Sequence, residues 1–120
     1  MNKFSLILLN KINKYKMKAT KVQYTVKSEF VKQNVENINK VMSDLRQLNN
    51  ADLKYSSFIL DDKKSFVHFV MTNTEEAGKI LNSLDSFKKF QTELKASNPE
   101  ISPLVEHISL VNSSYDIFYI

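Results

Sequence analysis

The sequence predicts an α+β domain of βαββαβ order, the ferredoxin-like plan, in a chain of 120 residues. Three observations carry that prediction. Two amphipathic helical stretches frame a pair of short strand-like runs joined by a charged turn. A period-two run precedes the first helix, and another follows the second. The third strand is apolar on both of its faces, which extends the prediction to a dimer that pairs two such sheets.

The elements follow in order. Residues 1–18 read as an N-terminal extension, disordered or ahead of the native start, and residues 19–120 as one domain. Phe4–Leu9 is an apolar run of only six residues, and Asn10-Lys11 follows where a signal peptide would have its small-residue cleavage site. The run is also too short to cross a bilayer. Met17 makes a reasonable start just ahead of the first strand. Val22–Lys27 alternates apolar and polar residues, the mark of a half-buried strand. Ser28 offers a helix N-cap, with Glu29 suited to the helix dipole. Val31, Val35, Ile38, Met42, Leu45 and Leu48 then recur at helical spacing. Asn49–Asp52 ends that helix with turn-forming residues.

Leu53–Leu60 and Ser65–Met71 read as a hairpin across Asp61-Asp62-Lys63-Lys64. Asn73 and Glu76 stand at capping-box spacing before a stripe from Ala77 to Leu94, with a break expected between Ser83 and Ser86. Pro99 and Pro103 place 98–103 in a loop. Leu104–Val111 reads as the fourth strand, and the alternation of Tyr115–Ile120 as an extra C-terminal one.

Composition excludes several function classes. There is no cysteine, so disulfides, thiolate metal sites and cysteine nucleophiles are absent; a reducing, cytoplasmic setting fits. The net charge of +4 looks like a nucleic-acid signal until it is located. Lys3, Lys11, Lys14 and Lys16 account for all of it, and the remainder balances at 13 basic and 13 acidic residues. No nucleic-acid partner and no stable membrane insertion are expected. One glycine rules out a glycine-rich phosphate loop, and no cluster stands at metal-ligand spacing, so neither cofactor nor metal is expected.

In the third strand Val67, Phe69 and Met71 fill one face, and Phe66, His68 and Val70 the other. An antiparallel sheet with helices on one side ordinarily leaves its second face polar. A doubly apolar strand therefore calls for a second cover, and an identical sheet supplies it most simply, giving a homodimer.

Val22–Lys27, the Ser28-Glu29-Phe30 helix start, and the Phe66–Met71 strand running into Asn73-Thr74-Glu75-Glu76-Ala77 resemble the antibiotic-biosynthesis-monooxygenase type of dimeric α+β barrel. More narrowly, Tyr24–Phe118 is similar to a group of uncharacterised bacterial proteins of this fold. The resemblance implies dimers formed by sheet packing and a pocket between sheet and helices. It also implies a choice among cofactor-independent monooxygenases, haem-degrading enzymes, isomerases and proteins without known activity. The haem-degrading branch is disfavoured, because the chain lacks tryptophan and has no histidine between Asn73 and Asn98.

His68 is the candidate catalytic residue, since an imidazole can act as a general base near neutral pH. Tyr24, Tyr55, Phe66, His68 and His107 are the candidate ligand-binding residues. Packing at a partly buried face is the competing account of each. Glu106 points away from His107 on a strand, so the two form no dyad. Two functions remain: a dimeric barrel that binds a small apolar or aromatic ligand or serves as an assembly module, or a cofactor-independent monooxygenase-like enzyme acting on a phenolic or aromatic substrate. A pocket holding His68 together with a tyrosine hydroxyl is the feature that bears on the choice.

Overall fold

The computed structural model describes residues 17–118; the apolar run and four lysines of residues 1–16, and the last two residues of the expected C-terminal strand, lie outside them. Four strands are present: β1 (Lys18–Thr25), β2 (Leu53–Ile59), β3 (Ser65–Thr72) and β4 (Ile101–Ile108). Three helices accompany them: α1 (Val31–Leu48), α2 (Glu75–Ser83) and α3 (Asp85–Ala96). The strands form one antiparallel sheet in the order β2-β3-β1-β4, the ferredoxin-like arrangement, open at both edges.

The core lies between one face of this sheet and the helices. Tyr24, Leu53 and Phe66 from the strands, with Val26 just after β1, meet Ile38 and Val41 of α1, Ala77 and Leu81 of α2, and Phe87, Phe90 and Leu94 of α3. Asn49 closes α1 in a left-handed conformation (φ 49°, ψ 45°), as its turn chemistry predicts. Leu84 divides α2 from α3 with extended backbone, inside the expected break. In the β2–β3 turn the Asp62 carboxylate accepts from the Lys64 and Ser65 amides at 3.0 and 2.8 Å.

Several local expectations need correction. The extra C-terminal strand is not formed among the described residues: the segment from Tyr115 to Phe118 carries bends and no strand pairing. β1 begins at Lys18, four residues before the alternating run, because β3 and β4 flank it and pair with it from Lys18 and Ala19 onward. β4 begins at Ile101 and runs through Pro103, which an edge strand tolerates because its outward amide needs no partner. Ser28 does not cap an α-helix; Ser28–Phe30 is a 3-10 turn leading into α1. Thr74, not Asn73, caps α2, its hydroxyl accepting from the Ala77 amide at 3.2 Å.

The buried stripe of α1 is also rotated from the apolar one. Asn34, Asn37, Ile38 and Val41 face inward, while Val35 and Leu48 are exposed. The rotation is bought by hydrogen bonds. Asn34 donates to Tyr24, and Asn37 accepts from Gln33 at 2.9 Å and donates to Glu93 on α3 at 3.2 Å. These bonds offset much of the cost of burying the two amides, although Asn34 Oδ1 is left without a partner.

Candidate functional site

The inner face of the sheet carries Tyr24 on β1, Tyr55 on β2, and Phe66, His68 and Val70 on β3. Strand alternation makes this grouping necessary. Val22 lies opposite His68, Tyr24 opposite Phe66 and Tyr55 opposite Val70, so each tyrosine is a diagonal neighbour of the imidazole. The side chains close that diagonal. Tyr24 Oη lies 2.8 Å from His68 Nε2, and Tyr55 Oη 2.8 Å from Nδ1. Asn34 of α1 extends the chain by donating from Nδ2 to Tyr24 Oη at 2.9 Å.

His68 is thus held at both nitrogens by neutral hydroxyls. It is 2% exposed, and burial holds its pKa down to about 4, so the ring is neutral near pH 7. Burial raises the pKa of both tyrosines; the bond from Asn34 partly offsets this at Tyr24, and the nearby Tyr24 adds to it at Tyr55. Aromatic packing fixes the rings: Tyr24 stacks on His68 at 5.3 Å between centroids, Tyr55 meets it edge-on at 5.7 Å, and Phe90 of α3 lies at 5.4 Å.

Beside this cluster a cavity of about 510 Å³ opens between the sheet and α3. Tyr24, Tyr55 and His68 lie in its wall together with Val22, Val70, Phe87, Phe90 and Leu94, and Pro103 and Val105 of β4 border it. The wall is mainly apolar and aromatic with a few convergent polar groups, the usual make-up of a small-molecule site. Among the described residues no strand flanks β4 on its far side, and the whole strand is exposed.

Of the five residues singled out in the sequence, Tyr24, Tyr55 and His68 are brought together. Phe66 is not in the cavity wall; it is core, 2% exposed and stacked under Tyr24 at 5.6 Å. His107 is exposed on β4 opposite Thr20, with β1 between it and His68. Asn34 was not anticipated. The spacing Asn34–Ile38–Val41–Leu45 is an equally regular helical stripe, and it could have been found by asking which stripe carries a polar group able to reach a buried strand. Among the described residues no group of three or more histidine, aspartate or glutamate side chains could hold a metal ion, and no helix is long and apolar enough to cross a membrane.

With the geometry in place, comparison with known proteins gives a fold-level answer. No family model and no curated protein matches the chain. Solved structures do. The chain shares the fold of the antibiotic biosynthesis monooxygenases. A structure described by that name superposes with a TM-score of 0.65 at 16% identity, covering 79% of this chain and 99% of the other. A protein from Mycobacterium tuberculosis gives 0.68 at 8% identity, covering 82% and 99%. A cofactor-independent oxygenase from Streptomyces nogalater gives 0.62 at 10% identity, covering 83% and 98%. Identities this low establish the architecture and leave the chemistry to the residues of this chain.

Proposed function

We propose that the protein is a homodimer, working in the cytoplasm, that binds a small, largely apolar or aromatic molecule between its sheet and α3. The observation that carries this reading is the cavity of about 510 Å³ whose mainly apolar wall holds two tyrosines and a neutral histidine. Apolar walls supply affinity by burial, and the few polar groups orient the guest. The uncovered outer face of the sheet supports the homodimer.

The test uses 2-naphthol as the probe, followed by its own fluorescence. Saturable binding by the wild-type protein is the expected result. Val105→Trp, at an exposed position bordering the cavity, is expected to weaken it at least ~10-fold by filling space that the probe needs. No saturable binding, or identical binding by the variant, overturns the reading.

One observation favours a second reading, the monooxygenase-like enzyme: His68 and two hydroxyls do share one cavity. Binding is preferred because a general base works best with a pKa near the operating pH, and His68 sits at about 4. Aerobic incubation with 2-naphthol separates the two, since an oxygenated product that vanishes in His68→Gln would establish the enzyme.

A further inference from the structure

The hydrogen-bonded chain Asn34–Tyr24–His68–Tyr55 has a direction, and that direction fixes what the cavity offers its guest. A neutral imidazole donates from one nitrogen and accepts at the other. Two proton orders therefore satisfy the ring. In the first, Tyr24 donates to Nε2 and Nδ1–H donates to Tyr55. In the second, Tyr55 donates to Nδ1 and Nε2–H donates to Tyr24.

Asn34 decides between them. Its Nδ2 already donates to Tyr24 Oη. In the second order that oxygen would receive two donors, and its own proton would be left without a partner on a side chain only 1% exposed. In the first order every hydroxyl and ring group on the buried side is matched. The leftover proton then belongs to Tyr55 Oη, on a half-buried side chain in the cavity wall, where water or a guest can take it. Turning the Asn34 amide over does not rescue the second order. As placed, the amide leaves Oδ1 and one N–H without a partner; turned over it would leave both N–H protons without one, and a buried orphan N–H is rarer than a buried orphan carbonyl oxygen.

We infer that Asn34 is a positioning residue that orders the protons through Tyr24 and His68, making Tyr55 the hydrogen-bond donor of the cavity and selecting guests with a neutral acceptor such as a carbonyl. The guest half of this inference rests on the ligand-binding reading above; the proton order does not.

Two measurements on the full chain keep the halves apart. The first is the ¹⁵N shift pattern of His68 in the ligand-free protein. The expected result is the Nδ1–H tautomer, the opposite of what a free histidine side chain favours in water. Asn34→Asp, whose carboxylate would accept from Tyr24, is expected to convert His68 to Nε2–H. A wild-type ring that is Nε2–H, or that averages between tautomers, overturns the proton order whether or not the variant folds. The second compares benzophenone with diphenylmethane, which differ by one carbonyl. Wild type is expected to prefer benzophenone about 10-fold, the worth of one ordinary hydrogen bond, and Tyr55→Phe to lose that preference while still binding both. Equal binding of the two probes by wild type overturns the donor role of Tyr55. Binding of neither overturns the cavity reading itself and leaves the proton order to the ¹⁵N result alone.

Discussion

The two faces of β3 are built from similar side chains and meet different fates. Phe66 and His68 point toward the helices and are each 2% exposed, whereas Val67, Phe69 and Met71 point the other way and stay half-buried. The outer face extends across the sheet, with Phe58 of β2 meeting Phe69 edge-on at 6.0 Å and Leu104 of β4 60% exposed. Apolar residues alone do not make a core. What separates the faces is that α1, α2 and α3 all pack on one of them. The other has no cover among the described residues, and its apolar side chains are interrupted by Gln23, Lys54, Ser56 and the Lys21–Glu106 pair at 3.8 Å. Patches of that kind mark contact surfaces.

The largest expected effect tests whether the inner face alone holds the fold. Phe66→Ala should destabilise the protein by about 3–5 kcal/mol, the usual cost of emptying a buried aromatic site. Phe69→Ala, three residues along the same strand but on the other face, should cost less than half of that in the monomer. Urea unfolding of the two variants at nanomolar concentration reads the contrast directly. Equal losses would show that the outer face is already a core of its own.

The next effect belongs to His68, the group of the inner face whose shift falls in the acid range. His68 has a folded pKa of about 4 against an ordinary value of 6.5, so between those limits the unfolded chain binds the extra proton. Stability is then constant above about pH 7 and falls as the pH drops from 6.5 toward 4, by about 3 kcal/mol in total. His68→Phe should flatten that slope while leaving the carboxylate-driven loss at lower pH. An unchanged slope in the variant would mean that His68 is accessible to protons, and with them to solvent.

The same contrast explains what was legible in the sequence. Element order, the helix break at Leu84 and the two sides of β3 follow from local periodicity and turn chemistry, which do not depend on partners. The group Tyr24, Tyr55 and His68 was half legible: the residue types and faces could be read, but their diagonal contact depends on cross-strand register, which local pattern does not specify. Phe66 lies under the cavity wall and not in it, a distinction the sequence does not carry because an aromatic on a strand looks alike whether it lines a cavity or supports the ring that does. Asn34 escaped because a buried polar residue becomes favourable only through its partner ten positions earlier in the chain. β1 and β4 were placed three or four residues late for a related reason. Polar Lys18 and Thr20, and Pro103, enter strands only because neighbouring strands accept them.

The smallest expected change in stability carries the most information about the outer face. Phe58 is 55% exposed, so Phe58→Asp removes little burial and should alter monomer stability by no more than about 0.5 kcal/mol. If the outer faces of two copies pack together, however, the same carboxylate is placed at an apolar contact where it finds no partner, and desolvating it works directly against association. Light scattering at micromolar concentration is then expected to give about twice the 13.9 kDa chain mass for wild type and the chain mass itself for the variant. A wild-type protein that is already monomeric would break the comparison at its root, because an uncovered apolar face would then be a stable end state of this fold. A variant that remains dimeric would place the contact elsewhere, and the exposed β4 edge, with Ile101, Leu104, Val105 and Ile108, would become the surface to substitute next.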